Sequence, residues 1–192
     1  MKFIPSEVFP EVIIVEPDAY KDDRGYFLEM YHELSYGKHG MPARFVQDNV
    51  SFSTKGVLRG LHYQLMKPQG KLIMVISGEI FDVAVDVRRG SPTFGKSLNI
   101  HLSSRNSRQL YIPKGFAHGF CVLSEAAYVY YKCTEYYDPS SERGLVWNDP
   151  SLAIQWPFKE PVLSAKDKSY PVLDHIPEED LPKYIQTKKQ NQ

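Results

Sequence analysis

Short runs with the side-chain pattern of β-strands follow one another along most of this chain, cut at close intervals by turn signals. Residues 12–15, 25–31, 44–52, 57–64, 71–76, 79–87, 97–102, 109–112, 119–123 and 127–134 alternate apolar and polar side chains or concentrate β-branched and aromatic ones. Between them lie Asp23-Arg24-Gly25, Thr54-Lys55-Gly56, Pro68-Gln69-Gly70, Ser77-Gly78, Arg89-Gly90-Ser91-Pro92 and Pro113-Lys114-Gly115. Many short strands joined by such turns predict an antiparallel sandwich or barrel. Residues 33–40 and the acidic stretch 177–184 read as short peripheral helices, and the polar residues 186–192 as disordered. No repeat or composition shift divides the chain, so one domain over 1–176 and a C-terminal extension over 177–192 are expected.

The strands carry an unusual cargo of polar groups. In Arg59-Gly60-Leu61-His62-Tyr63-Gln64, alternation puts Gly60, His62 and Gln64 on one face. Gln47-Asp48-Asn49 and the segment around His118 repeat the pattern of polar side chains on an inward face. Burying such groups without partners costs several kcal/mol, so neighbouring strands that repeat it line a polar pocket. A histidine facing a pocket can be a general base, or simply a structural imidazole bonded to a carbonyl. Lys71 opens the apolar run Leu72-Ile73-Met74-Val75-Ile76. It is either an exposed charge or, pointing into the barrel mouth, a stabiliser of a developing oxyanion. Alternation in Tyr128 to Cys133 directs Tyr131 inward with Val129 and Cys133, and Tyr128, Tyr130 and Lys132 outward. Arg24, Arg59, Gln47, Asn49 and His118 are donors suited to phosphate or a nucleobase edge.

Other classes fit poorly. The 192 residues hold 23 Lys+Arg against 23 Asp+Glu, so no basic excess points to nucleic acid. No run approaches the roughly 20 apolar residues of a membrane span, and the N-terminus lacks the apolar stretch of a signal peptide. Cys121 and Cys133 are therefore read as free buried thiols in a cytoplasmic protein. Metal-holding jelly rolls use two closely spaced histidines with a carboxylate and a further histidine. His62 is followed instead by Tyr63-Gln64 and His118 stands alone, so no metal is expected. No glycine-rich dinucleotide fingerprint is present. Asp82 and Asp86 share a face, and pairing with Arg88 or a neighbouring strand explains them better than paired acid–base chemistry.

Taken in order, these motifs resemble the dTDP-4-dehydrorhamnose 3,5-epimerase family, whose members are cupin-like jelly rolls. The resemblance spans residues 8–175. It rests on Asp23-Arg24-Gly25-Tyr26-Phe27-Leu28-Glu29, Gln47-Asp48-Asn49, residues 56–64, Gly70-Lys71-Leu72, residues 81–86, Ser91-Pro92-Thr93-Phe94-Gly95, residues 112–120, Trp147-Asn148-Asp149 and residues 163–167. It implies an all-β, antiparallel jelly-roll barrel with short peripheral helices. It implies His62 as base, oriented by Asp167; Tyr131 as acid on the far face of a sugar; and Lys71 as enolate stabiliser. Arg59, Gln47, Asn49, His118, Glu142 and Lys166 match substrate contacts, and Tyr137 an aromatic that stacks on the nucleobase. Arg24 and Glu29 match residues that reach the site from the partner of a homodimer. The implied substrate is a nucleotide-linked 4-keto-6-deoxyhexose, inverted at C3 and C5 without net oxidation and hence without a redox cofactor. An enzyme inverting one centre only, or using another nucleotide, is the near alternative. A non-catalytic sugar-nucleotide-binding module and a metal-dependent jelly roll are the readings from other classes.

Overall fold

The computed structural model describes residues 1–42 and 44–185. Two antiparallel sheets face each other. In the first the spatial order is β1 (Lys2–Pro5), β2 (Ile13–Glu16), β10 (Gln109–Ile112), β7 (Lys71–Ser77), β12 (Ala126–Cys133) and β5 (Gln47–Thr54). In the second it is β13 (Glu142–Gly144), β6 (Leu58–Gln64), β11 (Phe116–Val122), β8 (Glu79–Asp86) and β9 (Ser97–Ser103). A separate hairpin, β3 (Ala19–Asp22) with β4 (Gly25–Leu28), stands outside both. This is the expected jelly roll: from β5 to β13 the strands alternate between the two sheets, except that β8 and β9 pair as neighbours in the second. The short helices α1 (Glu33–Gly37) and α2 (Ala165–Ser169) sit on its periphery. Among the described residues no helix is long and apolar enough to cross a membrane.

Alternation explains where the core lies. Ile73, Val75, Ala84, Phe116, Phe120, Val122 and Val129 point between the sheets and fill one end of the sandwich. The opposite face of the second sheet carries Leu61, Tyr63, Val83, Val85 and Ala117. The chain after β13 wraps back over that face and buries Leu145, Leu152, Leu173 and Leu181 against it. Leu72 and Tyr111, on the outer face of the first sheet, lie under Tyr36 of α1. Each fully buried aliphatic side chain contributes about 2 kcal/mol by leaving water. Both faces of the second sheet are thereby dry, and the residues left polar on its inner face stand out.

Several boundaries differ from the sequence expectation. The strand expected over 25–31 ends at Leu28, and the one expected over 44–52 begins only at Gln47. Lys2–Pro5, Ala19–Asp22 and Glu142–Gly144 form strands that propensity did not mark. The stretch 177–184 holds a single 3₁₀ turn, Glu178–Asp180, rather than a helix. It is nevertheless anchored. The Tyr63 hydroxyl donates to the Asp180 carbonyl at 2.9 Å, and Arg143 Nε to the Asp180 carboxylate at 2.7 Å. The disorder expected of 186–192 lies outside the described residues.

One irregularity shapes the interior. His118 of β11 faces His62, and Phe120 faces Arg59. Three steps on β6 thus match two on β11, a bulge centred on Gly60 and Leu61. Strict alternation would send Arg59 and His62 to opposite faces; the extra residue returns both to the inner one. Gly60 has φ +121°, and a Cβ there would lie 2.5 Å from Gly119 Cα and 2.8 Å from the His118 carbonyl oxygen. Only glycine fits. Gly60→Ala is expected to cost on the order of 3 kcal/mol, a drop in Tm of roughly 10 °C measurable by calorimetry.

Candidate active site

At the end of the sandwich away from the apolar core, the two sheets enclose a polar cavity. It has two lobes of about 320 and 250 Å³ that share His62, Lys71 and Tyr131. His62 comes from β6 in the second sheet. Tyr131 and Lys71 come from β12 and β7, adjacent strands of the first. The histidine and the phenol therefore stand on opposite walls. Gln47, Asn49, Tyr137 and Glu142 line one lobe; Arg59, His118, Lys166 and Asp167 line the other.

Asp167 sits in the first turn of α2, capped by the Ser164 side chain. Its Oδ1 lies 2.6 Å from His62 Nε2. Burial alone would raise the Asp167 carboxyl. Hydrogen bonds from His62, Ser164 and the Gly60 N–H outweigh that and hold it below the ordinary carboxylate value. An ionised carboxylate only accepts, so Nε2 carries the hydrogen, and in the neutral ring the lone pair falls on Nδ1. Tyr170 packs edge-on against the imidazole, with ring centroids 5.5 Å apart. On the neighbouring strand, His118 Nε2 is hydrogen-bonded to the fully buried Asp82 carboxyl at 2.9 Å.

Burial pushes the Tyr131 phenol above its ordinary value, Cys133 adds to the shift, and Arg59 offsets part of it. The phenol is therefore protonated at neutral pH. Desolvation lowers Lys71, while Cys133 and Asp82 pull the other way. Among the described residues neither the Lys71 ammonium nor the Tyr131 hydroxyl is engaged by a hydrogen bond, so both are available to a bound molecule.

The remaining expected contacts arrange themselves around these groups. Gln47 Nε2 donates to Asn49 Oδ1 at 2.9 Å, and Gln47 Oε1 accepts from the Tyr137 N–H at 2.8 Å. That second bond fixes the loop bearing the half-exposed Tyr137 ring over the mouth. Arg59 Nε donates to Ser53 Oγ at 2.9 Å. Glu142 pairs with Lys166 and accepts from the Tyr170 hydroxyl at 3.0 Å. Arg24 and Glu29 are the exceptions. Arg24 is exposed at the tip of the β3–β4 hairpin, paired with Asp22. Glu29 lines a separate depression with Phe3 and His39. Neither enters the cavity of its own chain.

Gln69, Ser51, Cys133, Ser164 and Phe120 line the cavity without having been singled out as site residues, and Gln64 lines it from the face that alternation gave it. For Ser51 and Cys133 the signal was present, because they share the inward parity of Asn49 and Tyr131. Asp86 is bound by Arg88, Ser91 and Thr93, as its proximity to Arg88 implied. Asp82 instead orients His118, and no sequence spacing reveals that pairing.

Two facing antiparallel sheets with an apolar core at one end and a polar cavity at the other form a cupin-like jelly-roll barrel. The family model for dTDP-4-dehydrorhamnose 3,5-epimerase matches residues 7–175. The chain belongs to the dTDP-4-dehydrorhamnose 3,5-epimerase family. The protein of that name from Pseudomonas aeruginosa is 55% identical over 161 residues, covering 83% of this chain and 89% of its own. A dTDP-6-deoxy-D-glucose-3,5-epimerase from Legionella pneumophila, solved in complex with dTDP-4-keto-L-rhamnose, superimposes with a TM-score of 0.93 at 51% identity. That alignment covers 96% of this chain and 99% of the other. A more distant relative, the dTDP-4-dehydrorhamnose 3-epimerase of Streptomyces niveus, is 40% identical over 156 residues, 80% of this chain and 75% of its own.

Proposed function

We propose that this protein inverts C3 and C5 of dTDP-4-keto-6-deoxy-D-glucose to give dTDP-4-keto-L-rhamnose. The observation that carries the reading is the placement of His62 and Tyr131 on opposite walls of one cavity with Lys71 beside Tyr131. The hydrogens at C3 and C5 of such a sugar are both α to the C4 ketone. His62 Nδ1 takes one of them, and the electron pair moves onto O4 as an enolate. Asp167 steadies the imidazolium that results. The Lys71 ammonium, held in a dry setting where its field is strong, stabilises the O4 charge. Tyr131 returns a proton from the other face and inverts the centre. Its raised pKa suits an acid that stays protonated until the enolate forms. The imidazolium then releases its proton to solvent and the phenolate takes one up, and the same cycle at the second carbon completes the reaction. Arg59 and Lys166 supply positive charge for the diphosphate, and Tyr137 at the mouth offers a face for the base.

The functional unit is a homodimer. Tyr20, Tyr26 and Phe27 of the β3–β4 hairpin are largely exposed, as are Val50, Phe52 and Tyr128 on the outer face of β5 and β12. β5 is moreover an edge strand. Exposed aromatic surface of this kind marks an association site. A hairpin reaching across would deliver Arg24 and Glu29 to the partner's cavity, which accounts for their absence from their own. The free buried thiols Cys121 and Cys133 suit a reducing, cytoplasmic setting.

The direct test is proton NMR of the 4-keto substrate with enzyme in D2O. Loss of both the C3 and C5 proton signals, with conversion to the L-sugar, is expected. Exchange at C3 alone would assign the activity of a single-centre epimerase.

A further inference from the structure

Ser51 stands out within the cavity wall. Its Oγ is shut off from solvent and has no hydrogen-bond partner. Among the described residues the only other buried side-chain polar atom in that condition is the Tyr31 hydroxyl, which packs under α1 and away from the cavity. Buried polar groups are nearly always satisfied, and one that is not calls for a reason. The inward row of β5 makes the omission clear. Asn49 is bonded to Gln47 and Cys133 on one side of Ser51, and Ser53 to Arg59 on the other. Across the ladder Ser51 faces Val129, which offers nothing, and lies diagonal to Tyr131. It lines the lobe shared by His62, Lys71 and Tyr131.

We propose that Ser51 is a specificity-determining contact for the hexose, its hydroxyl exchanging a hydrogen bond with a polar substituent of the sugar ring. The inference rests on the epimerase reading above. A neutral hydroxyl next to Tyr131 suits a neutral ring substituent, while the diphosphate falls to the cations Arg59 and Lys166 in the same lobe. A serine has three staggered χ1 positions, so the hydroxyl can turn from its buried well toward a bound ring. For the empty protein the group is a cost, because an unpaired buried hydroxyl is worse than a methyl. A residue serving the fold alone would be apolar here.

The Ser51→Ala variant separates the two roles. Three quantities are measured on variant and wild type: kcat/KM for dTDP-4-keto-6-deoxy-D-glucose, the Kd of dTDP by titration calorimetry, and Tm. The expected result is a kcat/KM lowered roughly tenfold, the loss of one neutral hydrogen bond. It comes with unchanged dTDP affinity and a Tm equal to or above that of wild type. A variant with wild-type kcat/KM overturns the proposal. So does a parallel loss of dTDP affinity, which would move the contact to the nucleotide, or a Tm that falls in step with activity, which would make the role structural. A wild type that exchanges no sugar proton in D2O sinks the epimerase reading and this assignment with it. That failure is distinct from an active wild type beside an unimpaired variant.

Discussion

His62→Asn is expected to lower epimerisation by about a thousandfold while leaving dTDP affinity within about twofold of wild type. Asparagine can still bond Asp167 but cannot accept a proton from carbon. Removing a positioned general base costs 10²–10⁴ in rate, and about a thousandfold corresponds to roughly 4 kcal/mol of lost transition-state stabilisation. Nucleotide affinity survives because Gln47 and Asn49 lie on β5 and Tyr137 on a loop, Arg59 of β6 is held by Ser53, and none of the four is bonded to the imidazole. Rates from NMR conversion and affinities from calorimetry on the same preparation check both halves. A variant retaining a tenth of wild-type activity would place the base elsewhere.

Lys71→Met is expected to reduce kcat by about 100-fold to 1,000-fold, the range seen when one preorganised oxyanion partner is lost. It should also make the protein more stable at neutral pH. Lys71 has no direct hydrogen-bond partner, and burial lowers its pKa from the ordinary 10.5. A folded-state pKa below the unfolded one means that folding carries the full charge-burial penalty below the folded value. The penalty is relieved as pH rises from that value toward 10.5. The stabilisation of the variant is therefore full below the folded-state pKa of Lys71 and shrinks as pH rises from there toward 10.5. Urea melts of both proteins at a series of pH values measure it. A variant less stable than wild type at pH 7 would mean that Asp82 and the cavity walls more than repay the desolvation of the ammonium.

Much of the fold was legible because its strands obey the two-residue period. The inward parity of Gln47, Asn49, Tyr131 and Cys133 follows directly from it. Arg59 defeats the rule. Its parity is opposite to that of His62, and only the bulge at Gly60 brings the two together. A bulge leaves little trace in a single sequence beyond a glycine. The strands at Lys2–Pro5 and Glu142–Gly144 were missed for a related reason: each is a short edge strand of its sheet, held by pairing rather than propensity. The family resemblance supplied Asp167, which lies 105 residues from His62 and whose contact no local pattern encodes. The pairing of Asp82 with His118 depends on which strands are neighbours in the second sheet, a tertiary fact.

The two-wall arrangement of base and acid is tested most directly by Tyr131→Phe in D2O. With His62 intact and the phenol gone, proton NMR should show deuterium entering the sugar next to the ketone while its configuration is retained, because abstraction and return then occur on one face. Inversion continuing at the wild-type rate in this variant would contradict the assignment of Tyr131 as the acid on the opposite wall.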